Sequence, residues 1–360
     1  MDVNPYPRPA VAQGWRKLAL SVAGLVLVLG GAEVVIRLVD PPPRVLRHVN
    51  VAGYRLSSNP VRKYEYTPGR FPAGDGAFYD HRHFTINSHG FRDDEWCLAK
   101  EPHSMRILVL GDSVTAGNGI ENPRDTYPKQ LERLLREALP GRTVEVFNMG
   151  VGGYHTLQEV ETLREVGLSF NPDMVLVGFV INDFDEDMDG GVYQNLLNQL
   201  GGEERGVLSD AFTRTTWRAG QHLLGASRLL FFAYYRLKSL NPPRPDAGFD
   251  YRRDVLKNQN AVERGLELLS QLQASRSFEA RVFLIPAFDW KDGRYPHEAL
   301  HRQVEKIAAP YPALVVTDLL PGLMRKAAEG GALAFDGLHP NRRGHRLLAE
   351  AMADEILGRR

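Results

Sequence analysis

The chain has 360 residues, with 44 basic and 44 acidic side chains and no net charge at neutral pH. That balance excludes a surface that binds polyanions through bulk charge, so no nucleic-acid partner is expected. One cysteine, Cys97, excludes an intrachain disulfide.

The first element is apolar. Residues 18–32 (LALSVAGLVLVLGGA) carry no charge, Glu33 interrupts the run, Val34, Val35 and Ile36 extend it, and Arg37 closes it. Such a run is at the lower limit for crossing ~30 Å of hydrocarbon as a helix. Glu33 and Arg37 are four apart and can pair on one helix face. Trp15 suits the opposite interface. The expectation is a transmembrane signal anchor over residues 18–39, after a short cytoplasmic tail, residues 1–17. A cleaved signal peptide ending near Gly30-Gly31-Ala32 and a buried core helix are the alternatives. Basic residues flank both ends almost equally. The order of basic start and apolar run, as in an export signal, places the bulk of the chain outside the cytoplasm, periplasmic or extracellular.

Pro41-Pro42-Pro43 ends the helix, because proline lacks the backbone donor. Residues 40–103 read as a juxtamembrane segment that packs on the main domain, with short extended stretches such as 83–86; a flexible spacer is the alternative. Its aromatics, Tyr64, Tyr66, Phe71, Phe78, Tyr79 and Phe91, argue against disorder. From residue 104 the pattern alternates. Strands are expected at 106–110, 143–147, 174–180, 281–285 and 314–317. Helices are expected at 127–138, 156–166, 261–273 and 343–357. Such alternation implies an α/β fold, a parallel sheet with helices on both faces. Residues 184–257 break the pattern and read as a helical insertion within a domain covering 104–360. Inside it, 227–240 mixes bulky apolar and basic residues. This is an amphipathic helix over the core or, alternatively, one lying on a membrane. Asp185, Asp187 and Asp189 before Gly190 imitate the start of a calcium loop, but Leu196 stands where its glutamate would be, so a solvated acidic loop is the default.

Four short blocks carry the chemistry: Gly111-Asp112-Ser113, Asn148 to Gly153, Ile181-Asn182-Asp183, and Asp336 to Asn341. Alone, the first three read as ordinary turns or helix caps, and the fourth is evenly balanced between a turn before the closing helix and a catalytic pair. Together they supply a nucleophile, oxyanion donors, a base and an orienter for acyl transfer. Ser113 follows the first strand of the sheet, where ligands of open parallel sheets bind. Asp336 and His339 are three apart, so one tight loop can set the carboxylate against the imidazole. Asp183 is expected to stabilise its turn rather than to react. His155 is a further candidate for the pocket wall, with a surface or hydrogen-bonded histidine as the plainer reading.

These blocks resemble those of the SGNH (GDSL-type) hydrolases, a flavodoxin-like three-layer family of esterases, lipases and acyl-group enzymes. The resemblance covers about residues 105–357. It implies that Ser113 is the nucleophile and that Asp336 and His339 complete a catalytic triad. It also implies an oxyanion hole from the N–H groups of Ser113 and Gly153 and the side-chain amide of Asn182. No metal or organic cofactor is implied. Two features depart from the family. Ile181 stands where glycine usually precedes the asparagine, and the stretch between Asn182 and Asp336 is long. Residues 85–92 are similar to a segment preceding this domain in some membrane-anchored bacterial members. The expected function is a carboxylic-ester hydrolase acting on an envelope or extracellular acyl ester or acylated glycan, tied to the membrane by its N-terminal helix. The alternatives are an O-acyltransferase or deacetylase of a cell-envelope polysaccharide, and a non-catalytic envelope scaffold or glycan-binding protein.

Overall fold

The computed structural model describes residues 10–39, 53–72, 83–184, 192–193, 196, 229, 259–290, 294–327 and 330–359. Two units form, residues 1–45 with 204–247 and residues 46–203 with 248–360.

The first unit contains helix α1 (Ala10–Val39). Its stretch Gly14–Val35 has 22 residues, a mean hydropathy of 2.2 and no buried side chain. At 1.5 Å per residue it extends about 33 Å, enough to cross a bilayer. A signal sequence has the same length and composition. The Glu33 carboxylate accepts a hydrogen bond from the backbone N–H of Leu229 at 2.8 Å. The side chain of Arg37, the expected partner of Glu33, lies outside the described residues.

In the second unit two short antiparallel pairs come first. β1 (Tyr54–Leu56) pairs with β2 (Tyr64–Tyr66), and β3 (Gly69–Pro72) with β4 (His83–Ile86). Tyr64, Tyr66 and Phe91 are buried; Phe78 and Tyr79 fall outside the described residues. The main sheet follows: β5 (Met105–Gly111), β6 (Val144–Asn148), β7 (Met174–Phe179), β8 (Glu279–Leu284) and β9 (Val315–Asp318). All five strands are parallel, in the order β6-β5-β7-β8-β9.

The apolar runs in these strands are continuous because both faces are covered. On β5, Leu108 and Leu110 enter one core while Ile107 and Val109 enter the other. On β7, Val175, Val177 and Phe179 face the first core, and Met174 and Leu176 the second. Burying each such side chain stabilises the fold by ~1.5–3 kcal/mol. The first core is closed by α4 (Thr156–Glu165), α5 (Asn260–Ser275) and α6 (Glu298–Ala308). The second is closed by α3 (Tyr127–Ala138), α7 (Leu320–Ala327) and α8 (Arg342–Ile356). The result is three layers with the sheet in the middle.

Two helices go beyond the sequence expectation. In α6, Leu300, Val304 and Ala308 recur every fourth residue and are buried. In α7, Pro321 and Gly322 suggest a turn, but proline is tolerated in a first helical turn, where its missing N–H is an orphan anyway. The acidic stretch 185–190, and the helix expected over 227–240 apart from Leu229, lie outside the described residues.

Strand order decides where a site can form. From β5 the chain moves to β6 on one side, then returns to β7 on the other. The loops therefore diverge beyond the carboxyl end of β5, the switch point at which open parallel sheets place their ligand sites.

Candidate active site

Ser113 opens a single turn of helix, α2 (Ser113–Ala116 in chain order between β5 and α3), directly beyond β5. Asp112 caps this turn, its carboxylate accepting the Val114 N–H at 2.8 Å. Arg92, buried, closes the other end. Its guanidinium donates to the carbonyls of Ala116, Gly117, Ile120 and Glu121. The nucleophile candidate thus sits on a turn fixed at both ends.

The loop after β9 and α7 brings the second group. Phe335 N–H bonds to His339 O at 2.9 Å and Ala334 bridges Pro340, forming a narrow loop. Within it the Asp336 carboxylate accepts the N–H groups of His339 at 2.9 Å and Leu338 at 3.2 Å. The same carboxylate lies 2.9 Å from His339 Nδ1. Asn341, at the end of the block, caps α8 by accepting from Arg343 and Gly344. The block is therefore both a helix start and a site loop.

His339 Nε2 lies 3.0 Å from Ser113 Oγ, across 226 positions of sequence. A carboxylate at Nδ1 favours the tautomer protonated there, which leaves Nε2 as an acceptor for the serine proton. Burial raises the Asp336 carboxyl, but the His339 ring and the two loop N–H groups outweigh it. Its pKa is held well below the usual carboxylate range.

The second and third blocks meet the nucleophile turn from the other side. Gly150 packs so closely that a Cβ there would overlap the backbone nitrogen of Ala116. Asn148 ties the same loop to the turn, donating to Thr115 O at 2.8 Å and accepting from Gly150 N–H at 3.0 Å. Gly153 has φ +80°, in the left-handed region open to glycine. The N–H groups of Ser113 and Gly153 form no hydrogen bond among the described residues. Asn182, buried, donates from Nδ2 to Asp112 Oδ2 at 2.8 Å, which leaves its second amide hydrogen uncommitted. Asp112 Oδ2 is also 3.2 Å from Ser113 Oγ, so this one carboxylate links the nucleophile turn to Asn182. Asp183 accepts the Val180 N–H at 2.9 Å, a turn-stabilising bond. Ile181 occupies the place before the asparagine and is buried in the first core, to which Phe179 and Phe184 also belong.

Behind Asp112 lies a buried acidic layer of Asp183 and Glu159. Burial comes first, and the charge of neighbouring carboxylates, Asp112 among them, adds to it; both groups are pushed well above the usual range. Among the described residues, Glu159 Oε1 and Oε2 and Asp183 Oδ1 are buried without a conventional partner. A proton held between the two acids accounts for Asp183 Oδ1 and one of the Glu159 oxygens. His155 is buried at the start of α4, where burial depresses its pKa to about 4 and keeps it neutral. Among the described residues no group of three or more His, Cys, Asp or Glu is arranged to hold a metal ion.

The sequence blocks pointed to Ser113, Gly153, Asn182, Asp336 and His339. They did not single out Asp112 as the link to Asn182, Arg92 as the clamp, or the tyrosines of β1 and β2. Tyr64 Oη donates to Gly152 O at 3.0 Å, and Tyr66 Oη accepts the Gly152 N–H at 3.3 Å. Their aromatic character signalled burial, but nothing local signalled the partner.

A sequence model described as the GDSL-like lipase/acylhydrolase family matches residues 109–347, which include all four blocks. No curated protein matches the chain. Among solved structures, a two-domain esterase (CEX) active on acetylated mannans, crystallised with mannopentaose, is 16% identical with a TM-score of 0.42. The match covers 71% of this chain and 49% of that one. This chain thus spans about half the length of that esterase. LAE5, an α/β hydrolase from the metagenome of Lake Arreo, Spain, is 18% identical with a TM-score of 0.42, covering 71% and 95%. A GDSL-like lipase from Parabacteroides merdae is 16% identical with a TM-score of 0.40, covering 71% and 97%.

Proposed function

The chain belongs to the GDSL-like lipase/acylhydrolase family, an ester-cleaving family, and from that premise we propose that it hydrolyses carboxylic esters through an acyl-enzyme on Ser113. One observation carries the proposal: Ser113 Oγ stands 3.0 Å from His339 Nε2, while Asp336 holds Nδ1 of the same ring at 2.9 Å. In the first half-reaction the Ser113 oxygen attacks the ester carbonyl carbon and its proton passes to His339. The carbonyl oxygen becomes an oxyanion facing the N–H groups of Ser113 and Gly153 and the Asn182 amide. The bond to the alcohol breaks, and His339 returns the proton to the leaving alkoxide. In the second half-reaction His339 takes a proton from water, the hydroxide attacks the acyl-serine, and the acid departs as Ser113 regains its proton.

We further infer that α1 anchors the catalytic unit outside the cytoplasm. The support is the length and hydropathy of residues 14–35 and the order of a basic start before an apolar run, as in an export signal. A deposit of enzyme at an envelope surface suits an envelope or extracellular acyl ester as substrate.

The test is turnover of a panel of acyl esters by the wild-type chain and by Ser113→Ala. The expected result is that Ser113→Ala and His339→Ala lose on the order of 10⁶-fold in kcat. Only the wild-type serine should take up a fluorophosphonate. Ester turnover by Ser113→Ala at the wild-type rate overturns the proposal. Adding a glycan acceptor to the same assay separates hydrolysis, which releases free acid, from transfer, which acylates the glycan.

A further inference from the structure

Residues 54–66 lie upstream of the family match at 109–347, yet their tyrosines converge on one residue of the Gly150–Gly153 loop, Gly152, and bond the two peptides that flank it. Tyr64, fully buried, donates from Oη to the Gly152 carbonyl oxygen at 3.0 Å. Tyr66 accepts the Gly152 N–H, and Tyr54 Oη bonds to Tyr66 Oη at 3.2 Å. A Cβ on Gly152 would stand 2.9 Å from Tyr54 Oη and 3.9 Å from Ser113 Cβ, so the glycine that the tyrosines hold lies next to Ser113. Tyr64 is braced in turn: its ring packs edge-on against Tyr154 at 5.2 Å, and its carbonyl accepts the Tyr154 hydroxyl.

The geometry of a peptide gives this contact a consequence. The carbonyl of Gly152 and the N–H of Gly153 share one planar trans unit and point in opposite directions. A donor fixed on that oxygen therefore fixes the direction of that N–H. It also draws electron density toward the oxygen and makes the N–H a stronger donor, as in any hydrogen-bonded chain. Two successive glycines offer no side chain by which the loop could hold this plane itself.

We propose that Tyr64 is a positioning residue for the reaction: its hydroxyl aims and polarises the Gly152–Gly153 peptide so that the Gly153 N–H meets the charge developing on the substrate carbonyl oxygen. This rests on the reading of Gly153 as an oxyanion donor. Tyr64, rather than the hairpin as a whole, then serves the reaction, although it precedes the family match.

The experiment uses the full chain with Tyr64→Phe, counting competent sites by fluorophosphonate titration taken to completion. The expected result is a fall of about 10-fold in kcat per titrated site with KM within twofold, smaller than the 10²–10³ of a lost donor. Affinity for an alkylboronic acid, whose tetrahedral adduct on serine places an oxygen in the same hole, should fall in parallel. Asn59→Ala is the structural control. Asn59 Nδ2 ties the same hairpin to Glu161 at 2.7 Å without touching the glycine loop. Its loss should lower the melting temperature and leave kcat per site unchanged. p-Aminophenylalanine at position 64 keeps a weaker donor in place and should give an intermediate kcat. If Tyr64→Phe fails to fold, that variant decides alone, and a wild-type kcat overturns the proposal. Wild-type kcat per site in Tyr64→Phe, with Ser113→Ala inactive, overturns the role of Tyr64 and spares the esterase reading. Turnover by Ser113→Ala removes the esterase reading and the role of Tyr64 with it.

Discussion

Asp336 and the Glu159–Asp183 pair carry the same functional group on two sides of Ser113, yet their surroundings drive them to opposite charge states. Asp336 is half-buried and faces an imidazole and two N–H donors, which together hold it ionised. Glu159 and Asp183 are buried with little donor support and lie near a third carboxylate, which drives them toward the protonated form. Burial acts in the same direction on all three groups. What differs is whether positive and donor groups are present to offset it. One side can stabilise an imidazolium on the neighbouring ring; the other presents a near-neutral layer beneath the turn that carries Ser113.

The sharpest way to break this comparison is to remove the charge at Asp336. Asp336→Asn keeps the shape but can donate to Nδ1, which moves the ring proton to Nε2 and leaves nothing to accept from Ser113. A fall of about 10⁴ in kcat is expected. Steady-state kinetics at neutral pH check it, and a loss below tenfold would show that the carboxylate charge is not what orients the ring. Next in size is Asn182→Ala. It removes one amide donor and should lower kcat by about 10²–10³, with KM little changed. An effect confined to KM would place Asn182 in ground-state binding instead.

The smallest expected effect concerns stability against pH. Because the folded-state pKa of Glu159 and Asp183 lies above the unfolded value, the folded chain keeps protons that the unfolded chain releases. Their stabilising contribution is fully present below an unfolded pKa of about 4 and is lost as pH rises through the folded pKa. Asp336 has the opposite sign: its contribution is present above the unfolded pKa and is lost as pH falls. Glu159→Gln, which keeps a donor toward Asp183, should flatten the decline of melting temperature from pH 5 toward pH 8. Asp336→Asn should flatten the acid limb only. Identical alkaline slopes in wild type and Glu159→Gln would mean the pair is not a shared-proton site.

Much of this was legible in the chain because it depends on neighbours in sequence. Strand alternation in 106–110 and 174–180 follows from apolar runs bounded by turns. The reach of Asp336 to His339 follows from a spacing of three. Boundaries moved by a residue or two, as in β6, expected at 143–147 and found at Val144–Asn148. Helix α6 left a readable four-residue repeat, Leu300, Val304 and Ala308, that the alternation argument passed over. The clamp of Arg92 on four carbonyls left no such trace, since an arginine among aromatics in an irregular segment has no local partner.

By itself the amino-acid sequence determined the layered α/β order, the apolar character of the first helix and the residue types available for acyl transfer, because periodicity and short spacings act within a few residues. Only the tertiary structure decided which of those groups meet. Ser113 and His339 are 226 positions apart and Tyr64 and Gly152 are 88 apart. Their contacts depend on strand order and on which loops diverge at the end of β5, which no local pattern encodes. The same holds for charge: an aspartate's pKa is set by the donors and carboxylates that folding brings around it, and so Asp336 and Asp183 part ways.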